Sequence, residues 1–402
     1  SVLLVVSVLA LTRIGLSPPI YILPIFYLLM SALIYARTGV LHDIWGPSSV
    51  VIPVFVVLCT TPLLLFARYE WSLWFLLCIG LSLSNHIGTA AVILPLFSLV
   101  IVGTFLRLLK GTREISFLGL LSIASGIVVV GLMAVLPLKE AYLNGGGNLL
   151  KLLSFFFLGN SDQSAPDFWP ALRFVGSYLS SFLGFSSWYG AIGFISLFVL
   201  LSVQLSVLNG DKRALVIVAI VSLLGGFLGA LGIRGDLQHY LMMYQFGVSI
   251  FSIFVLISSV DNKVLESSYL KVPILILTLC LGYRAISSFV SSEDLVKSPH
   301  GCHVATQNIV DKLSISKETE IRLSPVSNDS WGALAASAYW LYSNRFHFCV
   351  AREWGFMFGS SLVCEAQSSA KESRSFRVLS LKKERGESDA MVKSGKVAWL
   401  ER

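Results

Sequence analysis

The sequence predicts a polytopic α-helical membrane protein that ends in a small α/β domain, and three observations predict it. Hydrophobic residues make up 55% of the chain and charged residues only 13%, against about a quarter in an ordinary globular protein. Mean hydropathy is +0.77. Up to about residue 290, long apolar runs alternate with short polar breaks, and after it charged and polar residues become frequent. A hydrocarbon core of ~30 Å needs about 20 apolar residues in a helix. The stretches "TAAVILPLFSLVIVGTFLRLL" (89–109) and "FLGLLSIASGIVVVGLMAVLP" (117–137) supply them. One such run could be the buried helix of a large soluble protein; a long series points to a membrane.

Spans are expected at 1–15, 17–37, 47–67, 71–86, 89–109, 116–137, 186–208, 214–232, 238–260 and 270–289. The first and fourth are short. Ser1 opens directly in "SVLLVVSVLALTRIG", without the charged flank and small-residue cleavage site of a signal peptide. That is the expected look of a chain whose first part is missing. Lys and Arg concentrate on the cytoplasmic side of membrane proteins. Placing Arg13, Arg68, Arg107, Lys110, Arg113, Lys212, Arg213, Lys263 and Lys271 inside leaves Arg37, Lys139, Lys151, Arg173 and Arg234 outside. Residues 38–46, 138–185 and 233–237 then face outward, with everything after about 290.

The outer segment 138–185 is long for a connection. Its pieces "NLLKLLSFFFLG" and "WPALRFVGSYLSSFLG" are too short to cross and are expected to lie along the membrane interface. Three consecutive glycines and "APDFWP" supply bends. Interfacial helices of this kind suit an enzyme whose lipid substrate enters sideways; the competing reading is an amphipathic plug that packs the bundle.

The tail, 291–402, is expected to be a soluble extracytoplasmic α/β domain. Helices fit "VATQNIVDKLS" and "WGALAASAYWLYSN", and strands fit "TEIRLSPV", "RFHFCVA" and "SFRVLSL". Such alternation favours a βαβ-like unit. The charged run "KKERGESD" reads as a surface loop. Three of the six cysteines fall here: Cys302, Cys349 and Cys364. In an exported domain Cys302 is expected to pair with either Cys349 or Cys364, the latter favoured because its competitor sits in a buried strand. Three reduced thiols in a cytosolic domain would look no different. Cys59, Cys78 and Cys280 lie in or beside spans, where a small apolar side chain is unexceptional.

Polar groups gather at the outer level. They are His42 and Asp43 in "LHDIW", Asn85 and His86 in "SNHIG", Glu140 in "LKEAY", and Arg234, His239 and Tyr240 in "GIRGDLQHYLMMYQFG". An ionisable group at a membrane boundary is a candidate for function. Against this, His86 could simply bond across a helix pair, and Arg234 and His239 could meet lipid headgroups. Asp236 is suitably placed to cap a helix starting near Leu237. His239 and Tyr240 would then occupy its first turn, whose N–H groups favour an anion. No basic patch is large enough for nucleic acid, and no metal-ligand spacing occurs.

This arrangement resembles the GT-C superfamily of integral-membrane glycosyltransferases, which use polyprenyl-phosphate-linked sugars. Loose motifs spread over most of the chain carry the resemblance. "LSPPIYILPIFYLLMSALIYARTGVLHDIWGPSSVVIPVFVVLCTTPLLLFAR" is similar to the family's early membrane region. "LLCIGLSLSNHIGTAAVILPLFSLV" is similar to its short span, polar junction and long span, with His86 at the junction. "RGDLQHYLMMYQFGVSIFSIFVL" resembles the basic-then-aromatic opening of a late span, without the proline that often follows the tyrosine. "NDSWGALAASAYWLYSNRFHFCVAREWGFMFG" is similar to the small extracytoplasmic domain of several members.

The resemblance implies sugar transfer at the outer membrane face to a lipid, glycan or protein acceptor, with inversion. It also implies an aspartate base in the loop after the first span. No residue here can inherit that role, because the sequence opens at what corresponds to the second span; Asp43 belongs to a later loop. Adding one span makes about eleven and puts the tail outside. The implied donor-phosphate residues are His86, Arg234, His239 and Tyr240, with His42, Asp43, Asn85 and Glu140 behind them. A divalent metal, Mg or Mn, could share the work. The alternatives are a transporter or flippase of a lipid-linked saccharide, which would show paired broken helices and an internal repeat, and a non-catalytic component of a polysaccharide assembly system.

The charge distribution generates a test. Cysteines engineered into 380–392 should react with an impermeant reagent on intact cells. Labelling only after lysis would reverse the topology.

Overall fold

The computed structural model describes residues 2–14, 49–111, 115–143, 165–183, 187–233, 237, 239–258, 298–325, 331–350, 362–364, 373–380, 391–394 and 397–401. The expected spans 17–37 and 270–289, the piece "NLLKLLSFFFLG", the "KKERGESD" run and Cys280 lie outside these residues. The chain divides into two compact units, Ser1–Val290 and Ser291–Arg402.

The described part of the first unit is helical: α1 (Val2–Arg13), α2 (Val51–Leu65), α3 (Ser72–Asn85), α4 (Ala90–Leu109), α5 (Phe117–Leu143), α6 (Phe168–Leu183), α7 (Ser187–Val207), α8 (Gly210–Gly232) and α9 (Gln245–Ser258). Among the described residues four stretches are long and apolar enough to cross a membrane: Ile87–Leu109, Phe117–Val135, Tyr189–Val207 and Lys212–Gly232. Their surfaces suit lipid. Ile101, Phe105, Leu118, Leu132, Ile192 and Val203 are exposed, as residues that face lipid would be. The protein is therefore membrane-embedded, built largely of helices, with a small sheet.

Helix α2 forms the centre. It packs against α1, α3, α4, α8 and α9, and Val51 and Pro53 to Leu64 are all buried. A helix wrapped on every side must satisfy its polar groups internally. Thr60 and Thr61 therefore donate their hydroxyls to the carbonyls of Val56 and Val57, four residues back, at 2.8 and 2.7 Å. Ala67 closes the helix in the left-handed region at φ 59°, with Arg68 N–H reaching the Leu63 carbonyl at 3.0 Å.

Helix α5 runs beside α3 in the same direction. Ser122 accepts a bond from Leu73 N–H at 2.8 Å and donates to the Glu70 carbonyl at 3.0 Å. This hydroxyl satisfies the amide of a first-turn residue of α3, which a helix cannot satisfy itself.

Helix α6 buries Ala171, Leu172, Val175 and Tyr178 against α7, α8 and α9, while Phe168 and Trp169 at its start are exposed. The regular helix expected from about Leu237 begins at Gln245 instead, after a 3₁₀ turn at His239–Met242.

The glycines of α8 let the bundle close. A Cβ on Gly225 would meet the Ala91 carbonyl oxygen at 2.5 Å, and one on Gly229 would meet the Ala91 Cβ at 2.7 Å and the Tyr244 hydroxyl at 3.2 Å. A Cβ on Gly226 would collide with the Gln245 amide. Gly225 and Gly229 form the small-xxx-small spacing by which membrane helices bring backbones together.

In the second unit α10 (Ser298–Lys312) and α11 (Trp331–Ser343) pack on a five-stranded sheet ordered β2-β1-β3-β5-β4. The strands are β1 (Glu320–Pro325), β2 (Phe348–Val350), β3 (Ser373–Ser380), β4 (Met391–Ser394) and β5 (Val397–Glu401). β1 pairs in parallel with β2 and β3, pairing Leu323 with Val350 and with Phe376, and β5 returns antiparallel to β3 and β4. Ile309, Leu334, Ile321 and Phe376 meet in the core. The hydroxyls of Thr306 and Ser337 pair there at 3.0 Å.

The disulfide corrects the sequence reading: Cys349 joins Cys364, with Cα atoms 4.9 Å apart, and Cys302 is not a partner. Val363 bridges Val350 in parallel, and Cys364 N–H donates to the Val350 carbonyl at 2.9 Å. The backbone thus lays Cys364 beside the end of β2.

Overpacking a closed membrane interface costs about 1–3 kcal/mol. Gly225→Leu should therefore markedly lower the yield of monodisperse protein and its thermal midpoint. Gly131→Leu, where a Cβ meets nothing within 4 Å, should not. Equal behaviour in a fluorescence-detected melting assay would refute the close approach of α4 and α8.

Candidate functional site

The site begins where α3 stops. His86 takes an extended conformation, φ −156° and ψ 103°, while its N–H still donates to the Ser82 carbonyl at 2.9 Å. A 3₁₀ turn, Ile87–Thr89, then starts α4. Thr89 ties the corner by donating its N–H and hydroxyl to the His86 carbonyl at 3.1 and 2.8 Å. His86 is thus held between α3 and α4, at the end of the bundle where α8 finishes and α9 begins.

Its ring reaches across 155 positions of sequence. Nε2 lies 2.6 Å from the Leu241 carbonyl oxygen. A carbonyl can only accept, so Nε2 carries the proton and, in the neutral ring, Nδ1 offers a lone pair. In a continuous α-helix the Leu241 carbonyl would serve Gln245 N–H. Here it serves the imidazole, and the chain from His239 to Met242 is 3₁₀, with the α-helix starting at Gln245. Gly88 leaves room for the ring, since a Cβ there would meet Nε2 at 2.6 Å.

Burial holds the His86 pKa below the ordinary histidine value, and the bond to Leu241 opposes that shift. The ring is neutral near pH 7. A bound anion would have to draw a proton onto it.

Two residues beside it were not singled out in the sequence. The Tyr244 ring sits with its centroid 6.3 Å from that of His86. The Gln245 side chain is fully buried over Gly226, and among the described residues neither its Nε2 nor its Oε1 has a hydrogen-bond partner. Burying an unpaired amide costs about 1–3 kcal/mol per group, so its retention in an apolar core calls for a reason. The available signal was a lone amide opening the run "QFGVSIFSIFVLIS".

His239 and Tyr240 lie in the same 3₁₀ turn whose Leu241 carbonyl the imidazole holds. Asn85 is exposed, and its amide donates to the Leu81 carbonyl of its own helix at 2.7 Å. Glu140 lies in the last turns of α5. His42, Asp43, Arg234 and Asp236 are outside the described residues. Among the described residues no group of three or more His, Cys, Asp or Glu side chains could hold a metal ion.

Fold and geometry define a membrane-embedded helical protein with a small α/β domain and a polar junction at one end of its bundle. Compared with protein-family models, curated proteins and solved structures, the chain matches none.

The depressed His86 pKa makes stability depend on pH. The unfolded chain binds the proton more readily, so the contribution is fully present above the unfolded value, about 6.5, and is lost as pH falls from there through the lower folded value. The melting midpoint should fall between pH 7.5 and 5.5, and His86→Gln should shrink that fall. An unchanged pH dependence would mean that the ring is solvated and not held by Leu241.

Proposed function

We propose that the chain is a glycosyltransferase that moves a sugar from a polyprenyl-phosphate donor to a lipid, glycan or protein acceptor at the outer membrane face. The observation that carries this reading is the bond from His86 to the Leu241 carbonyl. It joins the two polar junctions that the GT-C resemblance assigns to the donor phosphate. The disulfide between Cys349 and Cys364 supports an oxidising surrounding for the tail, in keeping with that domain lying outside.

In the proposed reaction an acceptor hydroxyl attacks the anomeric carbon. The carbon–oxygen bond to phosphate breaks, and the polyprenyl phosphate leaves with the electron pair. A carboxylate takes the hydroxyl proton as general base. Charge grows on the leaving phosphate, so donors aimed at it speed the step. Arg234 would supply a two-nitrogen grip, the 3₁₀ turn that carries His239 and Tyr240 would supply backbone N–H donors, and a divalent metal, Mg or Mn, would serve the same end. His86 acts mainly by positioning: it fixes the carbonyl of the turn that carries these groups. Gln245, without a hydrogen-bond partner among the described residues, would complete its hydrogen bonds with a sugar hydroxyl.

Removing one such donor costs about 10²- to 10³-fold in rate. Arg234→Ala should depress turnover of the lipid-linked donor to that extent while leaving the thermal midpoint near wild type. Arg234→Lys should recover only part, because the planar fork is lost. Wild-type turnover in the alanine variant would remove Arg234 from the site.

A further inference from the structure

We propose that the protein holds an anionic glycerophospholipid in a groove at the end of the bundle opposite His86, one acyl chain lying between α3, α4 and α5. Helices α3 and α4 are joined at His86 and run in opposite directions. The start of α3 and the close of α4 therefore lie together, about 20 Å from the histidine along the helix axis. Between them lies a cavity of about 320 Å³, within the size range of ligand sites. Phe75 and Leu76 of α3, Phe97, Val100 and Thr104 of α4 and Ile123 of α5 line it. The rings of Phe75 and Phe97 stack at 6.3 Å and form a flat apolar wall.

Charge at this end selects the occupant. Arg68 directly precedes Tyr69, which lines the groove, and Arg107 directly precedes Leu108, which also lines it. Lys110 follows at the end of α4 and is exposed. The Arg107 guanidinium lies 5.8 Å over the Phe66 ring, which holds it at this end of the helix. Glu70 is the acid among these residues, exposed to solvent. An acyl chain fits the walls, and a phosphate fits the cations beside them. The tail of a polyprenyl donor would bring no charge to this end to meet them. The groove is separate from the proposed transfer site, and neither depends on the other.

The test uses the whole protein in mild detergent, loaded with phosphatidylglycerol or phosphatidylcholine and examined by native mass spectrometry. Phosphatidylglycerol should survive competition by excess phosphatidylcholine. Each cation near a lipid surface contributes roughly a fivefold factor in binding, so Arg68→Gln and Lys110→Gln should each weaken retention by about that much. Thr104→Trp, which fills the groove, should abolish it. Equal retention of both lipids would overturn the proposal, as would unchanged retention in both charge variants. Glycerol phosphate competing as well as the lipid would mean an anion site without a chain and would overturn it too. If Thr104→Trp folds poorly, the exposed Lys110→Gln still decides the matter.

Discussion

The architecture of the membrane unit depends on how closely α8 lets its neighbours approach. Lipid gives two helices no hydrophobic reason to associate, so contact area and hydrogen bonds must hold them. Gly225 and Gly229 bring the first turn of α4 against α8, and Gly226 admits the amide of Gln245. The first contact fixes where α3 ends and α4 starts. The second fixes where α9 starts. His86 and Leu241 meet because both corners are seated on the same glycine face.

That seat has an electrostatic consequence. A histidine placed there loses water and, with it, its charge; its Nε2 proton goes to a backbone carbonyl. His86, which the family resemblance implies as a donor-phosphate residue, bonds across the two corners of the bundle. It diverts the Leu241 carbonyl from helical bonding and keeps His239–Met242 in a 3₁₀ turn. In the proposed reaction the charge must come from Arg234 and from backbone N–H groups, with the neutral imidazole holding the turn that presents them.

Much of the helical layout was legible because an apolar run of crossing length has few other uses: α4, α5 and α7 begin and end within a few residues of the expected limits, except that α5 continues past 137 to Leu143. The tail's β1-α11-β2 unit was legible from alternating strand and helix patterns. The hairpin β4–β5 was overlooked although "MVKSGKVAWLE" places a glycine between two short runs rich in strand-forming residues. The cysteine pairing failed because only the parallel bridge of Val350 to Val363 brings residue 364 beside residue 349. His86 was legible as an ionisable residue at a boundary. Its acceptor was not, since a backbone carbonyl 155 residues away leaves no side-chain signature. The spacing of Gly225 and Gly229 was present in the sequence and would have marked the close contact.

Transfer, as opposed to translocation, is decided by the fate of the donor. The protein, reconstituted in liposomes with a polyprenyl-phosphate sugar labelled in the sugar, should release free polyprenyl phosphate and pass the label to an acceptor. If the donor instead stays intact and appears in the opposite leaflet, the protein is a flippase, and the glycosyltransferase reading is contradicted.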